Sequence, residues 1–349
     1  MATLEVVEGW RGSRRRDDEI VTPPLSENAI HPPGGKRWFE HWYFDARLES
    51  GHVVVVMLQA RELVRRAPGV EIHVYEPDGT RHQISRKYPA AAVQASSEQC
   101  DIRVGYSHAW VEDGEPLVHR CVVDEGKLAA DLRFESIVPS WQPGLGNTRY
   151  GASDFFAWVV GAPRASVSGT IRVGDETLEV SGIGYHDHNW GVGNMPRIVD
   201  HWYWGRVYAD DITLVYANVF ARKRYGFAAS TPMMVAHENR IIVSTGEVEV
   251  ETGPEIHNEI AGRAYPTWLR LTAPDEVELK LDVKQIIHTH DLLDDVPIVR
   301  WALAKPLAHR LVGHPGYFRF LSDFHLRVHT EDGLVERTGT TLHEMVALG

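Results

Sequence analysis

The chain has 349 residues, 43% hydrophobic and 24% charged, and a formal net charge of −12. That length exceeds one ordinary core and fits two domains of roughly 150 residues each. The acidic balance excludes the broad basic face that nucleic acid or an anionic membrane would need. The two cysteines, Cys100 and Cys121, exclude a disulfide framework.

In chain order, Met1 to Asp18 lacks the apolar stretch of a secretory signal. Arg14-Arg15-Arg16 runs directly into Asp17-Asp18-Glu19 and reads as part of a solvated N-terminal arm, residues 1–30. The longest apolar run, Val53 to Leu58, is far short of the roughly 20 residues a membrane helix requires. Reduced thiols and no integral membrane segment lead to the expectation of a cytoplasmic protein. Period-2 alternation marks half-buried strands at residues 70–74, 247–251 and 277–283. Asp78-Gly79, Asp113-Gly114 and Asp332-Gly333 mark hairpins between such runs. Helical spacing is confined to Val296 to Val312, carried by Trp301, Leu303, Leu307 and Leu311, with Pro306 expected to interrupt it. The fold class is all-β, a set of short strands closing into barrels.

The chain also repeats itself. Glu40-His41-Trp42-Tyr43-Phe44 returns as Asp200-His201-Trp202-Tyr203-Trp204, 160 residues later, and each is followed by a turn and an apolar strand. Gly182 to Asp187 returns as Gly339 to Glu344, 157 residues later. Two antiparallel barrels in tandem follow, residues 31–192 and 193–349, joined near the Gly- and Pro-containing stretch from Gly191 to Arg197.

Strand parity gives direction to Gly184-Tyr185-His186-Asp187-His188-Asn189-Trp190-Gly191. Leu178 and Val180 should face inward, and steps of two then place His186, His188 and Trp190 on that same face. Tyr185 and Asp187 face the other way, where Asp187 would orient an imidazole or pair with an arginine. In the first copy the same rule puts Trp42, Phe44, Ala46, Val54, Val56 and Leu58 inside, a packed core. In the second copy it puts Trp202, Trp204, Arg206, Leu214, Tyr216 and Asn218 inside. A few polar groups within an apolar lumen is the signature of a binding site. The larger cavity is therefore expected against Trp204, Arg206, Tyr216 and Asn218, bordered by the His- and Trp-rich seam between the barrels.

The Glu40–Phe44 block, the Gly182–Gly191 block and the doubled barrel together resemble the carotenoid 1,2-hydratase (hydroxyneurosporene synthase)/AttH-like family. Kievitone hydratase and fungal decalin-forming Diels–Alderases are similar to it. The resemblance implies two lipocalin-like domains and a small hydrophobic substrate of polyene or isoprenoid type. It leaves the reaction open, because one fold hosts several.

Hydration of a C=C bond leads. It needs an acid that protonates carbon and a wall that stabilises the cation. The family's hydratases carry Tyr-x-Asp where this chain has Tyr216-Ala217-Asn218, so Asp187 or Asp200 would have to supply the proton. The alternative is a cyclase or pericyclase that folds a polyene and holds its polar head with Arg206, Tyr216 and Asn218. A third reading is a non-catalytic lipocalin-like carrier. The catalytic set is His186, Asp187, His188, Arg206, Tyr216 and Asn218, with Trp42, Tyr185, Trp190, Trp202 and Trp204 binding substrate.

No cofactor and no metal are called for. His186-x-His188 with His201 has the makings of a zinc site, but with 19 histidines such pairs are common, His288-Thr289-His290 being another. Glu40 and Asp200 read as equivalent barrel caps, Arg149, Tyr150 and Asp154 as loop contacts, Trp141 as a core plug, and His343-Glu344 as structural.

Overall fold

The computed structural model describes residues 3–12, 14–63, 66–295 and 305–348. The chain divides into two compact units, Val21–Gly193, and Asn194–Gly349 together with Met1–Ile20.

In the first unit an antiparallel sheet runs in the order Arg81–Lys87, Gly69–Tyr75, Val53–Arg61, Trp38–Leu48, Glu176–Val192, Asp154–Val173, Leu128–Ser136, Val118–Asp124, Ser107–Glu112, Asp101–Val104, Val93–Ala95. It curls around one core holding Trp42, Phe44, Val54, Val56, Leu58 and Phe134. Among the described residues no ladder joins its two end strands, so the barrel is a curled sheet rather than a closed ring. The second unit repeats the order: Arg240–Thr245, Met233–His237, Ile212–Ala221, Val199–Ala209, Gly333–Ala347, Gly316–Thr330, Val277–Asp291, Trp268–Ala273, Glu249–Thr252. A separate hairpin, Glu255–Asn258 with Arg263–Pro266, lays Tyr265 against Phe318 and Phe320.

Alternation explains the strands. Val277, Leu279 and Leu281 enter the second core, while the intervening Glu278, Lys280 and Asp282 stay outside it. The Asp-Gly pairs sit in turns, and Gly79 and Gly333 take the positive φ such turns require. Val70–Val74 lies within a strand as expected, and the acidic run at 247–251 pairs over Glu249–Thr252.

Two expectations are corrected. The arginine-rich arm is not merely solvated. Arg16 forms an isolated bridge with Thr245 and an ion pair with Glu276 at 2.9 Å, and Asp17 is buried against Ser244. Pro306 is itself helical, within the described helix Lys305–Val312, and what precedes Lys305 lies outside the described residues. Trp301 and Leu303 lie outside the described residues.

The second correction concerns parity in the second unit. There Tyr203, Val207 and Ala209 enter the core, so Trp202, Trp204 and Arg206 occupy the opposite face. The cause is one residue of turn. Leu48 bonds His52 across the loop Glu49-Ser50-Gly51, whereas Ala209 pairs with Ile212 across Asp210-Asp211 alone. The shorter turn, with Asp210 at φ 47°, slips the preceding strand by one position and turns every side chain over.

Candidate functional site

The strand Ile212–Ala221 keeps its expected parity, and Leu214, Tyr216 and Asn218 are all fully buried. Across the sheet Tyr216 faces Gly205, and Gly205 faces His343 on the last strand. Glycine is needed there, because a Cβ would lie 2.7 Å from His343 Cβ and 3.0 Å from the Tyr216 hydroxyl. Asn218 faces Tyr203, one step along the same row. Phe318, Phe320 and Met345 complete an apolar wall.

Several polar atoms in this lumen have no hydrogen-bond partner among the described residues: the Tyr216 hydroxyl, Asn218 Oδ1 and His343 Nδ1. The other ends of two of these side chains are held. Asn218 Nδ2 donates to Thr231 Oγ1 at 2.7 Å, and His343 Nε2 meets Ser322 Oγ at 2.8 Å. Burial, with Tyr203 alongside, pushes the Tyr216 hydroxyl up, so it stays protonated. Burial brings His343 down to about 3, so its imidazole is neutral. The lumen thus offers neutral donors and acceptors rather than charges.

Arg206 does not join them. It lies on the outer face, its guanidinium stacked over Trp204 at 5.3 Å and Tyr208 at 5.5 Å. Trp202, next on that face, is half-buried.

The histidines of the central motif belong to the first unit, and their parity is as expected. His186 stacks on Phe44 at 4.0 Å and His188 on Trp42 at 4.2 Å. Trp190 stacks on His31 at 3.8 Å. His186 Nδ1 donates to the Tyr43 carbonyl at 2.9 Å, and its Nε2 accepts from Asn28 Nδ2 at 2.9 Å. The same Asn28 amide lies 3.3 Å from His119 Nε2. A cavity of about 10 Å³, the room of one water, opens beside Asn28 and His119 and is lined by Cys100, Val111, Ser140 and Gly161. This cavity is in the first unit, not against Trp204, Arg206, Tyr216 and Asn218.

Asp187 faces away from these rings, as expected. It accepts from Trp158 Nε1 at 3.0 Å, Tyr185 Oη at 2.8 Å and Asn189 Nδ2 at 2.9 Å.

Glu40 is more than a cap. It shares the inward parity of Trp42, is 1% exposed, and places Oε1 3.0 Å from His31 Nδ1 and 3.1 Å from His188 Nε2. Burial pushes its carboxyl up, but hydrogen bonds from His188 and His31 outweigh that and hold it below the usual carboxylate range. Asp200 differs: it is half-buried and engages His201, with Arg222 and Arg263 each 3.7 Å away. His201 belongs to the second unit, where its Nδ1 meets Asp200 Oδ2 at 2.9 Å. His288 and His290 face each other at 3.1 Å.

Sequence reasoning missed His343, Glu40, His31 and Asn28 as site residues. The repeat already aligned His343 with His186, and stepping back two from Trp42 reaches Glu40. Asn28 and His31 lie in irregular backbone, where no periodicity flags them.

Residues 24–289 match the family described as Domain of unknown function (DUF7064). The chain is 26% identical over 263 residues to hydroxyneurosporene dehydrogenase of Chlorobaculum tepidum, covering 63% of this chain and 66% of that protein. It is 25% identical over 225 residues to quinolone epoxide rearrangement protein penF of Penicillium thymicola, covering 58% and 59%. Each match spans less than two thirds of the relative's own length. Among solved structures, the AttH protein NE1406 of Nitrosomonas europaea is similar with a TM-score of 0.64 at 14% identity, over 97% of this chain and 100% of that one. Kievitone hydratase of Nectria haematococca is similar with a TM-score of 0.60 at 14% identity, over 99% and 97%. These likenesses bear out the resemblance drawn from the Glu40–Phe44 and Gly182–Gly191 blocks, and at such identities the structures speak to the fold alone.

Proposed function

We propose that this chain, which belongs to the DUF7064 family, is an enzyme that cyclises or rearranges an apolar, polyene- or isoprenoid-like molecule held by its polar group in the lumen of the second unit. One observation carries the reading: among the described residues the Tyr216 hydroxyl, Asn218 Oδ1 and His343 Nδ1 stand unpartnered in an apolar wall. Buried polar atoms are nearly always paired, and exceptions grouped in one lumen fit a ligand's polar group. The Tyr216 hydroxyl would donate to a carbonyl or epoxide oxygen, and Asn218 Oδ1 would accept from a hydroxyl or amide. Fixed neutral dipoles in a dry site stabilise developing charge without proton transfer to carbon. The Glu255–Pro266 hairpin, which lays Tyr265 over Phe318 and Phe320, is the element that would yield to admit substrate.

Hydration needs a carboxylic acid kept protonated. Glu40 is held ionised, and Asp187 is bonded to Trp158, Tyr185 and Asn189. Both therefore suit orientation better than carbon protonation. Similarity to hydroxyneurosporene dehydrogenase and to a quinolone epoxide rearrangement protein supports this reading. Buried thiols at Cys100 and Cys121 support a reducing, cytoplasmic setting.

The test is turnover of carotenoid, prenylated and epoxide candidates, read by mass. A product isomeric with its substrate, formed slowly by Tyr216→Phe and Asn218→Asp but normally by Arg206→Met and Asp187→Asn, is the expected result. A product heavier by one water and lost in Asp187→Asn would replace this reading with hydration. Stoichiometric binding with no product would make the protein a carrier.

A further inference from the structure

The second-unit lumen leaves unused the cluster of His31, Glu40 and His188 in the first unit. With a neutral His188 the hydrogen positions available to it do not close. His188 Nδ1 lies 3.2 Å from the Glu27 carbonyl, and its Nε2 lies 3.1 Å from Glu40 Oε1. Both neighbours are acceptors. A neutral imidazole carries one N–H, so whichever nitrogen holds it, the other turns a lone pair toward an oxygen. His186, one step along the same strand, shows the closed alternative. Its Nδ1–H meets a carbonyl and its Nε2 accepts an amide N–H from Asn28.

Glu40 raises the same question from its own side. Oε1 accepts the His31 backbone N–H at 2.8 Å and faces His31 Nδ1 at 3.0 Å. Oε2 has no partner among the described residues, although Glu40 is 1% exposed. A cation on this cluster would take the lone pair of His188 Nε2 together with one from the Glu40 carboxylate.

We propose that His31 Nδ1, Glu40 and His188 Nε2 form a binding site for one divalent transition ion of zinc type. The ligand atoms lie within 4.8 Å of one another. The two nitrogen–oxygen separations, 3.0 and 3.1 Å, approach the roughly 3.3 Å edge of a tetrahedron with bonds of about 2.0–2.1 Å. Two imidazoles with one carboxylate are a donor set zinc accepts with a fourth position left over. The supports around the ligands are those a metal site uses. The Glu27 carbonyl fixes the His188 tautomer that presents Nε2. Trp42 stacks on His188 and Trp190 on His31, holding both ring planes. His31, with 23% of its side chain exposed, gives the ion a way in and a face for a solvent ligand. This set differs from the His186, His188 and His201 combination that spacing alone brings to mind. His186 spends both nitrogens on Tyr43 and Asn28, and His201 bonds Asp200.

The site is tested on the full chain without any substrate. Protein dialysed against micromolar zinc, then against metal-free buffer, should retain about one ion per chain by elemental analysis. Cobalt in place of zinc should give visible d–d bands of a low-coordinate N/O site. His31→Ala and Glu40→Gln should each weaken retention by more than about tenfold, with far-UV circular dichroism unchanged. His82→Ala, which removes another imidazole–carboxylate pair of the same unit, should retain the ion. Should either ligand variant fail to fold, X-ray absorption of the zinc-loaded wild type decides, with two imidazoles in the first shell as the expected result. Retention well below one ion, equal retention in every variant, or a shell lacking imidazole overturns the proposal.

Discussion

Trp42 and Tyr203 occupy the same place in the two units, although the sequence repeat aligns Trp42 with Trp202. Trp42 pairs with Leu58 on one side and His188 on the other, and Tyr203 pairs with Asn218 and Met345. The flanking strands keep their offsets of 160 and 157, while the strand between them has moved to 161. One face of that strand is consequently tryptophan and phenylalanine in the first unit, and tyrosine and glycine in the second.

Gly205 should tolerate no side chain. Gly205→Ala places a Cβ against His343 Cβ and the Tyr216 ring, neither of which is a flexible chain end. Overpacking of this kind costs about 1–3 kcal/mol. Denaturant unfolding should show a loss in that range, and turnover should fall with it because Tyr216 is displaced. A variant as stable as the wild type would mean that Tyr216 moves freely.

Tyr216→Phe should separate stability from function. The hydroxyl removed has no partner among the described residues, and an unpaired buried polar group costs about 1–3 kcal/mol. The variant should therefore be as stable as the wild type or more so, while ligand binding weakens. A clear drop in melting temperature would show that the hydroxyl is bonded in the free protein.

The fold should weaken in mild acid. Burial lowers His119 to about 4 and His343 to about 3, from 6.5 in an exposed chain. Between pH 6.5 and 4 the unfolded chain binds protons that these folded imidazoles refuse, so stability falls as pH falls through that window. Denaturant midpoints at pH 7 and pH 5 should differ more for the wild type than for His343→Gln. Parallel pH profiles for the two proteins would count against a neutral, buried His343.

The arm should prove part of the second unit. Asp17 Oδ2 accepts from Ser244 at 2.7 Å, its backbone N–H donates to the Ser244 carbonyl at 3.0 Å, and Trp10 lies over Gly246. Removing residues 1–18 should lower the melting temperature by several degrees, about 1–3 kcal/mol of stability. Gly246→Ala, which crowds the Trp10 ring, should do the same more mildly. An unchanged melting temperature in both would return the arm to solvent.

Much of this architecture is legible in the sequence, because alternation and repetition are local signals. The facing of His186, His188, Tyr185 and Asp187 follows from one uninterrupted strand, where parity has nothing to reset it. Trp204 and Arg206 face opposite to what parity predicts, because the turn after them is one residue shorter than its counterpart, and a single residue reverses a strand. Tyr216 and Asn218, beyond that turn, kept the expected face. Asn28 was out of reach for a different reason. It sits in the short 3-10 segment Leu25–Asn28 and meets His186 across 158 residues of chain, a pairing that only the folded sheet creates.

The docking of the arm has a consequence for biosynthesis. Asp17 leaves the ribosome 227 residues before Ser244, the group that receives it. At roughly 5–20 residues per second, the arm waits on the order of 10–45 seconds for its seat to be made. The Val21–Gly193 unit can be finished in that interval, and the later unit then closes with a segment synthesised before either. A bulky fusion placed ahead of residue 1 would travel with that segment and burden the last step of assembly.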